Sequence, residues 1–166
     1  YNSSGYESLE ALQRLDGLID IYLPDLKYDN PDYAARYSAA PDYPKKAWAA
    51  IREMVRQCKK TRFDARGIMQ KGVLIRHLIL PGLTSESIAL LDWVHDNAPG
   101  IPVSLMRQYT PLNGVDIPGL TRTITPREYR RVRDHMRMLE LPGYEQEAAS
   151  ASAEFVPIFG RDESYV

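Results

Sequence analysis

Apolar residues fall along this chain in runs of two alternating periods. Leu9, Leu12 and Leu15 recur at helical spacing behind Ser4-Gly5-Tyr6-Glu7, whose S-x-x-E form predicts a capping box and a helix over 6–16. Ile19 to Leu23 is short, apolar and β-branched, and predicts a strand ending on Pro24-Asp25-Leu26-Lys27. Asn30-Pro31 then starts a short helix with proline at its favoured first position. From Tyr43 to Cys58, the residues Ala47, Ile51, Met54, Val55 and Cys58 make one apolar helix face. The polar stretch 61–72, with a turn signal at Asp64-Ala65-Arg66-Gly67, predicts a small hairpin.

Val73 to Leu80 is apolar at both parities and predicts a parallel strand buried on both faces, ended by Pro81-Gly82. Thr84 or Ser85 can cap a helix carrying Ile88, Leu91 and Val94, and Ile101 to Met106 predicts the next strand. Thr125-Pro126-Arg127-Glu128 is a capping box with Tyr129, Val132, Met136 and Leu139 on one face behind it. The segment from Tyr144 onward is rich in Ala, Ser and Glu until Phe155-Val156-Pro157-Ile158-Phe159, read as a short extended segment that docks.

This order of elements predicts an α/β fold with a parallel sheet, each strand delivering polar residues at its C-terminal end, where such folds place their sites. The chain is read as opening in a loop before a helix, which leaves the first predicted strand an unpaired apolar edge. A fragment of a (β/α) barrel over 1–143, with a tail over 144–166, is therefore expected.

Composition narrows the function classes. With 21 basic and 22 acidic residues the formal charge is −1, which supplies no field for nucleic acid or an anionic membrane. One cysteine, Cys58, excludes an internal disulfide and a cysteine-built cluster site within the chain, and suits a reducing, cytoplasmic setting. No apolar run approaches the roughly 20 residues of a membrane span.

The candidate chemistry sits at strand ends. Asp25 and Lys27 lie two apart on an extended segment and point the same way, so both can face a ligand bearing an ammonium and a carboxylate, or form a loop ion pair. Arg76, inside an apolar strand, requires an anionic partner, whether a ligand or a neighbouring carboxylate. His77 points to the opposite face as a satisfied core histidine; His95 and His135 are read as surface residues, and Cys58 as a buried, inert thiol. Arg127, Arg130, Arg131, Arg133 and Arg137 are interleaved with Glu128, Asp134 and Glu140 and read as a solvated face.

Four segments in register carry a resemblance: Tyr1-Asn2-Ser3-Ser4-Gly5-Tyr6, Asp20-Ile21-Tyr22-Leu23-Pro24-Asp25-Leu26-Lys27-Tyr28, Ile75-Arg76-His77-Leu78-Ile79-Leu80-Pro81-Gly82 and Met106-Arg107-Gln108-Tyr109. Together they resemble the later strands of radical S-adenosylmethionine (radical SAM) proteins, in particular those similar to pyruvate formate-lyase activating enzyme. The resemblance implies a partial (β/α)6 barrel whose N-terminal half, outside these residues, binds an iron-sulfur cluster through a CxxxCxxC loop. It implies SAM contacts from Asp25, Lys27 and Arg76, with Asn2, Ser3 and Tyr109 at neighbouring strand ends; Asn2 replaces an acidic residue, and Tyr109-Thr110 stands where the family has a histidine. The implied reaction is reductive cleavage of SAM to a 5′-deoxyadenosyl radical that abstracts hydrogen from a glycyl radical enzyme or another protein substrate, with a reductant such as flavodoxin or ferredoxin. A radical SAM maturase for another substrate and a noncatalytic half-barrel binding module are the alternatives.

Overall fold

A computed structural model of the chain describes residues 1–111 and 117–146. Its elements are β1 (Asn2–Ser3), α1 (Leu9–Arg14), β2 (Ile21–Pro24), α2 (Pro31–Ser38), α3 (Tyr43–Cys58), β3 (Arg62–Phe63), β4 (Met69–Val73), β5 (Ile75–Leu78), α4 (Thr84–Asn97), β6 (Val103–Met106), α5 (Pro126–Met138) and β7 (Gly143–Glu145). The fold is mixed α/β with parallel strands in an open sheet; the described residues close no barrel.

The parallel strands pair in chain order. β1 pairs in parallel with β2, β2 with β4, β5 with β6, and β6 with β7. β4 and β5 are the lower and upper parts of one strand path interrupted at Leu74. Ile21 and Tyr22 sit opposite Gly72 and Val73, and after the interruption Asp25 sits opposite Arg76 at the same separation of 51 residues. Backbone bonds from Leu74 N–H to the Tyr22 carbonyl (2.9 Å) and from Leu26 N–H to the Arg76 carbonyl (2.8 Å) carry the ladder across. Next to this path, the antiparallel β3 covers the lower part, and β6 the upper part.

The two faces of the sheet differ. Tyr22 and Leu26, Val73, Ile75, His77 and Ile79, and Val103 and Leu105 are buried against the helices in one core with Leu12, Ile51, Met54, Leu91, Val94 and Val132. The intervening residues Leu23, Asp25, Arg76, Leu78, Ser104 and Met106 are only half-buried. The expectation that the strand at 73–80 is buried on both faces is thus corrected: no other element among the described residues covers the second face.

Several local expectations shift for identifiable reasons. The helix expected from 6 to 16 begins at Leu9, because Ser8, not Ser4, accepts the Ala11 N–H. Asn2 and Ser3, expected in a loop, form a strand on β2. Neither Thr84 nor Ser85 caps α4; its N-cap is Leu83, with no side-chain bond. Tyr144 and Glu145, assigned to the tail, are strand residues beside β6. That pairing needs Gly143, since a Cβ there would lie 1.9 Å from the Val103 carbonyl oxygen. The predicted segment 155–159 lies outside the described residues. His135, expected at the surface, is mostly covered by the packing of α4 on α5 and sits 2.7 Å from Asp92.

Other local expectations match. Asn30 caps α2, α3 spans Tyr43–Cys58, and β3 and β4 form the hairpin around 64–67. No helix among the described residues is long and apolar enough to cross a membrane.

The capping box of α5 anchors more than its own helix. Glu128 accepts the Thr125 N–H (2.7 Å), the Gly82 N–H (2.7 Å) after the central strand path, and both arms of Arg122 (2.8 Å each). The Arg122 guanidinium, followed by these N–H bonds, holds the carboxyl well below the usual carboxylate range, against the opposing effect of burial. A depressed acid pKa stabilises the fold fully above the unfolded value, near 4.5, and the contribution is lost as pH falls through the folded value. Glu128→Gln is therefore expected to cost about 1.5–3 kcal/mol at neutral pH in urea unfolding, with the deficit shrinking as pH drops below about 4.

Candidate functional site

At the end of β2 the chain leaves the sheet through Asp25-Leu26-Lys27, and alternation sets what each side chain meets. Leu26 is buried under the helices, while Asp25 points to the open face beside Arg76. Arg76 donates through Nε (2.9 Å) and a terminal nitrogen (2.7 Å) to Asp25 Oδ1. Lys27 Nζ lies 3.6 Å from Asp25 Oδ2, so one carboxylate stands between two cations. The side chains of Asp25 and Arg76 are 19% and 30% exposed, which leaves the pair reachable from solvent.

Buried contacts fix this segment from behind. His77 Nδ1 lies 2.7 Å from the Leu26 carbonyl, and Nε2 lies 2.8 Å from the Ser87 hydroxyl. A carbonyl only accepts, so Nδ1 carries the hydrogen and Nε2 accepts from Ser87. Burial lowers the His77 pKa and keeps the ring neutral. The Tyr43 hydroxyl accepts the Lys27 N–H (3.1 Å) and lies 2.9 Å from the carbonyls of both Ser4 and Asp25. Gly5 allows this close approach: its φ is +76°, and a Cβ would sit 2.2 Å from the Asp25 carbonyl oxygen. Farther along, the buried Glu86 of α4 accepts the N–H groups of Asp29 and Asn30, tying the loop to the helix layer. Burial raises the Glu86 pKa despite these two bonds.

The open face at this level holds a cleft of about 340 Å³ lined by Asp25, Lys27, Arg76, Leu78, Met106 and Tyr109, with Tyr28, Leu80 and Gln108 at its margins. It offers two cations and one anion against an apolar wall, a surface suited to a zwitterionic head with an apolar or aromatic body.

Of the residues singled out in the sequence, Asp25, Lys27, Arg76 and Tyr109 come together here. Tyr109 contributes its ring, since its hydroxyl donates to the Leu120 carbonyl (2.8 Å). Asn2 and Ser3 do not line the cleft. Asn2 stands opposite Leu23 on the far side of β2, and the Ser3 hydroxyl is bonded to Glu7 (3.1 Å). Sequence reasoning missed Tyr28, Leu78, Leu80, Met106 and Gln108. Leu78 and Leu80 share the parity of Arg76, the signal that points to them. Cys58 is buried with its sulfur 3.4 Å from the Gly72 carbonyl, and burial pushes its thiol pKa up. The described residues contain no group of three or more His, Cys, Asp or Glu able to hold a metal ion.

No protein-family model matches the chain. It is similar to the uncharacterized protein MJ0674 of Methanocaldococcus jannaschii, 26% identical over 133 residues, or 79% of this chain. The match covers 35% of that protein, so the chain spans about a third of the relative's length.

The Asp25–Arg76 pair is expected to stabilise the junction of β2 with β5. A double-mutant cycle with Asp25→Asn and Arg76→Met, read by urea unfolding, should give a coupling of about 1–2 kcal/mol; a coupling near zero removes the pair from the forces joining the strands.

Proposed function

We propose that this chain is the SAM-binding C-terminal part of a radical SAM enzyme of the glycyl-radical-activating type, built as a sector of a partial (β/α) barrel. The convergence of Asp25, Lys27 and Arg76 on one open sheet face, at the C-terminal strand ends, carries the reading. The chain-ordered parallel strands and the helices on a single face support the barrel sector, because strands wound in one direction keep every crossover on the same side.

In this reading Lys27 and Arg76 hold the carboxylate of SAM, Asp25 takes its ammonium group, and Leu78 and Met106 keep water from the ligand body. The chemistry that SAM supplies is a primary carbon radical for hydrogen abstraction. The residues of this chain do not fit the iron-sulfur cluster: the sequence has one cysteine, and Cys58 is buried away from the cleft. The cluster's ligands are assigned to sequence outside these residues. A glycyl radical enzyme or other protein substrate, a flavodoxin- or ferredoxin-like reductant and a cytoplasmic setting belong to the same proposal.

One observation favours a second reading, in which Asp25 and Arg76 are a structural ion pair and the cleft is no SAM site. Asp25 and Arg76 already satisfy each other at 2.7 Å, as a purely structural pair would.

Calorimetric titration of SAM into the full-length protein under anaerobic conditions separates the two. Lys27→Ala and Arg76→Ala are each expected to weaken SAM binding by about ten- to a hundredfold. If Arg76→Ala instead lowers the melting temperature while affinity in the folded fraction is unchanged, the structural reading stands and the SAM assignment falls. The chain of residues 1–166 alone, reconstituted anaerobically with iron and sulfide, is expected to take up no stoichiometric cluster, by iron and sulfide analysis.

A further inference from the structure

The segment that follows β6 has two sides. Met106, Gln108 and Tyr109 line the cleft of Asp25 and Arg76, whereas Arg107 enters a second cleft, of about 510 Å³, walled by α5 and β7. Arg107, Tyr129, Arg130, Arg133, Glu145 and Gln146 line it. Two of its atoms are anomalous for a folded interior. Arg107 Nε and the Tyr129 hydroxyl are largely shielded from bulk solvent and donate to no acceptor among the described residues, although the Gln146 N–H is directed at the hydroxyl oxygen. Buried polar groups are otherwise almost always paired, and here the two fall together on the wall of one cleft, where a bound acceptor would satisfy both.

The character of that ligand follows from the donors. A guanidinium has no acceptor, and the Arg107 guanidinium carbon sits 5.0 Å from the centroid of the Tyr129 ring, which holds the charge in place. Arg133 is bonded to Asp134 at 2.7 and 3.0 Å. Glu145, the carboxylate on the wall, is occupied through both oxygens by Arg137 at 2.6 and 2.7 Å. Arg107 and Arg130 carry no ion pair among the described residues. The cleft therefore presents donors from several directions and calls for an acceptor-rich anion. A carboxylate, with two oxygens, is satisfied by one guanidinium; a phosphoryl group has three terminal oxygens and a larger charge, and uses donors on more than one side.

We propose that this cleft binds the phosphoryl group of a small molecule, through Arg107, the Tyr129 hydroxyl and Arg130, with Arg133 adding positive charge. The site stands apart from the SAM reading and does not depend on it.

Inorganic phosphate and pyrophosphate, with acetate as the carboxylate comparison, are titrated at constant ionic strength and followed by phosphorus NMR and thermal shift. Saturable binding of phosphate or pyrophosphate is expected at about millimolar or tighter, at least about tenfold tighter than acetate. Arg107→Gln and Tyr129→Phe should each weaken it about tenfold or more, while Arg127→Ala, outside the cleft on the same helix, should not. Tyr129→Phe keeps the core ring and removes only the hydroxyl, so the variant is expected to stay folded. Absent or non-saturable binding, equal affinity in these variants, or acetate bound as tightly as phosphate would each overturn the proposal.

Discussion

The pairing of residues 21–25 with 72–76 at one fixed separation makes the two halves of this sheet into one sheet. On its lower side it fixes β2 against β4, and on its upper side it delivers Asp25 to Arg76. A slip of β2 by one residue would turn Tyr22 and Leu26 out of the core and carry Asp25 beneath the helices, away from Arg76. The apolar face therefore enforces the register, and the charged pair at the mouth follows from it. The site is positioned mainly by hydrophobic burial some residues away, and only secondarily by its own ion pair.

The helix layer completes this control from behind. His77, braced by Ser87, and Glu86 are polar groups in a buried setting, and both serve the segment 25–30 rather than their own elements. Tyr22 follows the same pattern lower down: its hydroxyl donates to Gln57, whose amide donates to the Leu12 carbonyl at 2.7 Å. Burial raises the Tyr22 phenol to a pKa of about 12, so this link stays protonated throughout the physiological range. Such bonds add specificity to a layer packing that apolar contact alone would leave free to slide.

How much of this was legible in the sequence depended on the length scale of the signal. Helices α2 and α5 carry their caps, and α3 and α5 their apolar faces, in contiguous residues, and these are legible in the sequence. β1 and β7 are two and three residues long, too short for a period to be counted, and they exist only because a neighbouring strand offers a ladder. Ser4 has the spacing of a cap, but the backbone there is drawn to the Asp25 carbonyl by Gly5 and Tyr43, which leaves Ser8 to start the helix. In the candidate site, parity alone placed Asp25 and Arg76 on one face. Gln108, Tyr28 and Glu86 depend on loop paths, which no local pattern encodes.

The strand order has an architectural consequence. Taking β4 and β5 as one path, each parallel strand meets the one before it and the one after it in sequence, with only the short antiparallel β3 set outside this order on β4. The fold is therefore additive, in the manner of stacked repeats: a strand–helix unit joined at either edge would create one new seam and leave the others undisturbed. Sheets wound by skipping and returning have no such modularity, because a new strand there separates established partners. Here the seam between β2 and β5 can keep its charged mouth whatever the width of the sheet around it.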